Sequence, residues 1–118
     1  EMDIAFSEHT RMFGIRLCED AETGDAYKFE ANLAEYRIYF DRTPNQPWYR
    51  YFDKGLERPL YLKPNQRYHI RVIVDDTIAV IYIDGVALTT RMYAKAGQGV
   101  NVYVVDGNLT VDNIKITK

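Results

Sequence analysis

Seventeen of the residues are acidic, and two carboxyls held across a bond can act as general acid and general base. The adjacent pairs Glu19-Asp20 and Asp75-Asp76 sit in turn-like segments. The other acids mostly fall in turns or at outward strand positions, where water solvates them. A nucleophile and its base fare no better. Cys18 and Ser7 have only His9 and His69 to call on, and no motif surrounds either histidine. His69 lies on the wetter face of a strand beside Arg71. These residues read as structure and surface, not as a reactive centre.

Oxygen ligands for a metal are concentrated in "EDAETGD", which offers Asp20, Glu22 and Asp25. Calcium takes several such carboxylates together with backbone carbonyls. The spacing is not that of an EF-hand loop, so the segment stands as a candidate calcium site beside the plainer reading of a solvated acidic turn. Asp112, near the C-terminal end, is a second candidate. Binding groups are concentrated in "FDRTPNQPWYRYF", residues 40–52. An aromatic ring covers the apolar C–H face of a sugar, and planar charged groups take paired hydrogen bonds. Asp41, Arg42, Trp48, Tyr49, Arg50 and Tyr51 form that set here, with Asn45 and Gln46 between them. The bland alternative is that Trp48 plugs one end of the scaffold.

The elements that must position these residues show a period of two. Met2, Ile4 and Phe6 alternate with polar or small residues. Phe13, Ile15 and Leu17 do the same, as do Tyr27 to Leu33, Tyr36 to Phe40, Tyr68 to Val74 and Val100 to Val104. Successive strand side chains point to opposite faces, so each run has one buried and one wetter face. "IAVIYI", residues 78–83, is apolar on both faces. That suits a strand covered on both sides, or one facing a partner domain. In "LTVDNIKI" the phase shifts at Asp112-Asn113, which predicts a bulge. Turns fall between the runs, most clearly at Asp84-Gly85, because the favoured two-residue hairpin needs positive φ at both positions. "FEANLAEY" is the nearest approach to a helix, and it is short and uncapped. Residues 42–66 are the irregular part and carry all four prolines. The result is about nine or ten short strands in two antiparallel layers.

The chain has 118 residues, of which 47% are hydrophobic and 27% charged, with a formal net charge of −2. That length suits one domain, able to bury roughly two-thirds of the unfolded chain's surface. No basic run points to nucleic acid. No apolar run approaches the roughly 18 residues of a membrane span. One cysteine excludes an internal disulfide. The chain opens inside a strand pattern, "EMDIAF", as a mature or excised domain does.

Residues 68–118 resemble the C-terminal β-sandwich of glycoside hydrolase family 32, the fructan- and sucrose-cleaving enzymes. The residues that carry the likeness are Ile83-Asp84-Gly85, Leu88 to Tyr93, Gly99, Val100 to Val104 and Val111 to Ile116. The segment is also similar to carbohydrate-binding module family 66, a related fructan-binding sandwich. Residues 1–67 match by general pattern alone. The resemblance implies an all-β, jelly-roll, concanavalin-like sandwich over residues 1–118, C-terminal to or excised from a larger glycosidase. The family's catalytic propeller carries Asn-Asp-Pro, Arg-Asp-Pro and Glu-Cys motifs. None occurs here: "CED" has the wrong order.

The resemblance therefore implies a non-catalytic accessory domain, with carbohydrate (a fructan or related glycan) and a catalytic β-propeller as partners, in a secreted, periplasmic or cell-surface bacterial protein. No catalytic residue and no cofactor beyond a candidate structural calcium is expected. In that setting Trp48 could instead pack against the propeller. Two rivals remain. A structural interaction module without a ligand would expose an apolar face, and "IAVIYI" is the feature that suits it. A lectin-like enzyme would need an inward-facing strand with paired acids, of the form Glu-x-Asp-x-x-Glu, and no such strand is present.

Overall fold

The computed structural model describes residues 1–20, 22, 26–41, 57–92, 97 and 99–117. Ten strands account for the architecture: β1 (Met2–Phe6), β2 (Met12–Glu19), β3 (Tyr27–Asn32), β4 (Arg37–Asp41), β5 (Glu57–Pro59), β6 (Tyr68–Asp75), β7 (Ile78–Ile83), β8 (Val86–Arg91), β9 (Gly99–Val105) and β10 (Leu109–Asp112). There is no helix among the described residues. One sheet runs β10-β1-β6-β7-β8 and the other β5-β4-β3-β2-β9, every described pairing being antiparallel. The predicted two-layer sandwich is the fold.

Period-two patterning builds the core. Ile4 and Phe6 of β1, Ile70 of β6 and Ile81 and Ile83 of β7 face Phe13, Ile15 and Leu17 of β2, Phe29 of β3 and Ile38 and Phe40 of β4. All are almost fully buried. The Phe40 ring stacks on Tyr27 at 5.5 Å and meets Phe29 at 5.1 Å. Such offset and tilted ring pairs add to the gain from burial.

The Asp84-Gly85 corner forms as expected, with φ of 46° and 76°. These are the two left-handed positions of a type I′ hairpin, and Ile83 and Val86 pair across it. The bulge predicted at Asp112-Asn113 is also present. Asp3 pairs with Asp112, yet the backbones of Glu1 and Lys115 bond to each other at 2.9 Å in both directions. That is one residue out of step, and Asn113 takes up the extra residue at φ 55°. The regular strand ends there, so Ile114 and Ile116 lie exposed beyond it. A second bulge, at Cys18 with φ 55°, shifts the β2–β9 register between Leu17 and Glu19.

Other expectations are revised. β7 is covered on one face only among the described residues, so of its two readings the strand covered on both sides falls and the strand facing a partner domain stands. Ala79, Ile81 and Ile83 are buried while Ile78 and Tyr82 are exposed on the outer face, because nothing among the described residues lies over that sheet. Leu33 and Tyr36 leave their strands to form the turn between β3 and β4. Val100 and Val104 pair with core residues Leu17 and Phe13 but stay exposed, because β9 is an edge strand of its sheet. Within the region read as irregular, Glu57–Pro59 forms β5 and pairs with β4.

Candidate functional site

The sandwich has two ends. At one end β1 gives way to β2, β3 to β4, β9 to β10, and residues 60–67 lead into β6. These connections are stitched together by hydrogen bonds. The Ser7 amide donates to the Asn108 carbonyl at 3.0 Å, and the Asn108 amide returns a bond to the Ser7 hydroxyl at 3.0 Å. Thr10, itself buried, shares a bond with the Ser7 hydroxyl at 3.0 Å. The Arg11 amide donates to Val105, the Leu33 amide to Arg11, and the Asn65 amide to Phe6, all within 3.1 Å. Gly107 fits because a Cβ there would lie 2.4 Å from the Thr10 hydroxyl, and its φ of 128° suits glycine.

Between these loops lies a cleft of about 420 Å³, lined at depth by Phe6 and Leu62 and at its rim by Glu8, His9, Arg11, Lys63 and Asp106. Tyr36 and Tyr61 form its aromatic wall. Their rings stack at 4.6 Å with planes 22° apart, yet they are 51% and 63% exposed. Large aromatic residues so exposed, side by side, mark an interaction site more often than an accident of folding.

Local sequence puts them there. The Asn32 side chain accepts the Glu35 amide at 3.1 Å and tightens the turn. Tyr36 adopts φ 56°, a left-handed conformation uncommon for a bulky side chain. Its carbonyl accepts the Leu60 amide at 2.9 Å, which fixes Tyr61 alongside. Arg37 braces the same corner, bonding Glu57 at 2.6 Å and Glu35 at 2.7 Å. The Glu57 bond, then the Glu35 bond, hold its guanidinium still more firmly protonated. At the rim Arg11 pairs loosely with Asp106 at 3.4 Å. The remaining rim charges, Glu8 and Lys63, are of opposite sign, so the cleft carries no net charge with His9 neutral.

A different cluster gathers on the outer face around Asp3. Its carboxylate accepts Asn113 at 2.8 Å and Arg67 at 3.0 Å and meets His69 Nδ1 at 2.8 Å. These bonds, Asn113 first, then His69 and Arg67, hold Asp3 well below the usual carboxylate range.

The residues singled out in the sequence divide between places. Trp48, Tyr49, Arg50, Tyr51 and Arg42 lie outside the described residues, as does Asp25. Asp41 closes β4 at the end of its sheet away from Tyr36. Asp20 accepts the Glu22 amide at 2.8 Å, a local turn bond, and it lies beyond the end of β2 far from the Tyr36 cleft. No group of three metal-binding side chains converges among the described residues. Ser7 is a loop staple, His9 lines the cleft, and Cys18 occupies a bulge. Neither Tyr36 nor Tyr61 was visible as a site residue in the sequence. They are 25 positions apart, and only the β4–β5 pairing brings them together. The one available signal was that Tyr61 stands between Leu60 and Leu62, on the opposite phase from both.

The whole chain, residues 1–118, matches the family described as glycosyl hydrolases family 32, C terminal. The chain belongs to this family. No curated protein sequence matches it. Among solved structures it is similar to a carbohydrate binding module CBM66 from Bacillus subtilis, with a TM-score of 0.70 at 14% identity over 95% of this chain and 69% of that one. It is also similar to part of the exo-inulinase from Aspergillus awamori, with a TM-score of 0.68 at 16% identity over 94% of this chain. A third likeness is to part of the β-fructofuranosidase from Schwanniomyces occidentalis, with a TM-score of 0.57 at 20% identity over 90% of this chain. This family 32 C-terminal chain spans 23% and 24% of those two enzymes' lengths.

Proposed function

We propose that this chain is the non-catalytic accessory domain of a fructan-active glycoside hydrolase and that it holds a neutral glycan in the Tyr36/Tyr61 cleft. The observation that carries the reading is the stacked, exposed tyrosine pair. An aromatic platform over a preformed cleft of no net charge suits the C–H face of a sugar ring, and the rim groups suit its hydroxyls. The family membership and the likeness to a carbohydrate binding module support it. A catalytic propeller on the same polypeptide, and a secreted, periplasmic or cell-surface place in a bacterium, belong to the same proposal.

Affinity electrophoresis through levan and inulin, with calorimetry on short fructo-oligosaccharides, tests it. Tyr61→Ala should weaken binding about tenfold, or ~1.4 kcal/mol. Failure of the unaltered domain to bind any of these sugars refutes the glycan half. The calcium proposed at Asp20, Glu22 and Asp25 is tested by the thermal midpoint, which should fall on chelation.

One observation favours a second reading, a purely buttressing domain. Val100, Ile114 and Ile116 are 52%, 57% and 71% exposed on and beyond the edge strands, apolar side chains that a neighbouring domain could cover. Sedimentation of the domain alone separates the cases, since an uncovered contact face should drive self-association.

A further inference from the structure

We infer that the outer face of the β1–β6–β7 sheet carries a second sugar-binding site, centred on Tyr82 and Arg71, which makes the domain bivalent. The inference rests on the glycan-binding reading of the Tyr36/Tyr61 cleft. A hollow of about 310 Å³ opens there, lined by His69, Arg71, Tyr82 and Asp84 together with Ile83 and Gly85 of the hairpin corner. It shares no residue with the cleft.

The register creates it. Arg71 of β6 stands directly opposite Tyr82 of β7, so guanidinium and phenol ring share one face. Tyr82 is 44% exposed. His69 is fixed from behind, with Nδ1 2.8 Å from Asp3 and Nε2 3.4 Å from Glu1. Arg71 is steadied through Nε, 3.6 Å from Glu1. Among the described residues its two terminal nitrogens, the Tyr82 hydroxyl and the Asp84 carboxylate make no hydrogen bond. The hollow thus holds an uncommitted fork of donors, an uncommitted acceptor and an open aromatic face.

Those groups select the ligand class. Arg71 and Asp84 cancel in charge, which disfavours phosphate or sulfate. A neutral ring with adjacent hydroxyls fits: Arg71 donates to a hydroxyl pair, Asp84 accepts from another, and Tyr82 covers the C–H face. With the cleft at the loop end and the hollow on a sheet face, one polymer or two chains can engage the domain at once.

Backbone amide NMR during titration with an inulin-type trisaccharide tests this, alongside affinity electrophoresis in levan. Two separate groups of shifts are expected, at the cleft (8–11, 60–63, 106) and at the hollow (69–71, 82–85). Tyr82→Ala and Arg71→Ala should each remove the second group and keep the first, and Tyr61→Ala should do the reverse. Each should weaken levan binding at least tenfold while trisaccharide affinity at the other site holds, as loss of one arm of a bivalent contact requires. Tyr82→Phe keeps the ring and should retain binding. Tyr82 is exposed, so its variants should keep the parent's thermal midpoint. Shifts at the cleft alone overturn the second site and leave the first. Shifts at the hollow alone overturn the cleft, and with it the bivalence, and uphold the hollow as a single site. Silence at both overturns both. Shifts at the hollow that depend on protein concentration without sugar overturn the inference in favour of a second copy of the chain.

Discussion

Gly14 lies against the ring of Tyr103. A Cβ on Gly14 would come 2.5 Å from the Tyr103 hydroxyl and 2.6 Å from the Phe29 carbonyl oxygen. The two residues are register partners on β2 and β9. The ring fills the space a side chain would take, its hydroxyl bonds Glu30 at 2.6 Å, and Arg16 sits over it at 5.0 Å. Gly14→Ala should therefore cost about 1–3 kcal/mol, because the Phe29 backbone cannot swing aside as a side chain can. Urea denaturation reads this directly, with Tyr103→Phe as the milder control.

Thr90 offers the opposite case. It is 4% exposed, and its hydroxyl has no hydrogen-bond partner among the described residues. A buried, unpaired hydroxyl is a penalty that an apolar group of the same shape removes. Thr90→Val should stabilise the domain by about 1 kcal/mol, roughly 4 °C in thermal midpoint.

Asp3 predicts an acid dependence. Its native pKa is depressed below the ordinary 3.8 by Asn113, His69 and Arg67. Such a group stabilises the fold fully above its unfolded value, and the contribution is lost as the pH falls toward the native one. Stability should decline from about pH 5 downward, and Asp3→Asn should flatten that decline. Equal acid slopes in the two proteins would refute the assignment.

Tyr61 and Trp48 are rival centres for glycan binding. β4 begins beside Tyr36 and finishes at Asp41, so the cleft and the Asp41 end of the sheet lie at opposite ends of one strand. Tyr61→Ala should weaken fructo-oligosaccharide binding about tenfold, and Trp48→Ala should leave it within about twofold of the parent value. The reverse ranking in calorimetry would move the site to the Asp41–Tyr51 segment.

Most strands could be read from the sequence because alternation needs only a buried and a wet face. Met2–Phe6 and Tyr27–Asn32 show this plainly, with burial switching at every residue. Alternation does not say which strand is an edge, so Val100 and Val104 were assigned a covered face that β9 provides only at Val102. Nor does it say whether a second layer covers an outer face, so the two readings of Ile78–Ile83 were separated only by the exposure of Ile78 and Tyr82, which leaves the strand that faces a partner domain. The cleft was hidden for another reason. Its walls come from a turn and from the stretch after β5, whose alignment depends on a three-residue strand with all residues exposed. Left-handed backbone at Tyr36 has no sequence signal comparable to Asp84-Gly85, because no glycine announces it.

The free side of β9 has a practical consequence. "GVNVYVV" carries no charge and no proline, and its outer edge has no partner strand among the described residues, only the Val102 amide being taken, by the Asn101 side chain at 2.8 Å. Such a border is a template on which further strands can add, side by side into fibrils. Keeping the domain in concentrated solution therefore turns on a strip of backbone, and a lysine at exposed Val100 would act as a gatekeeper against that growth while the Asn101 cap stays in place.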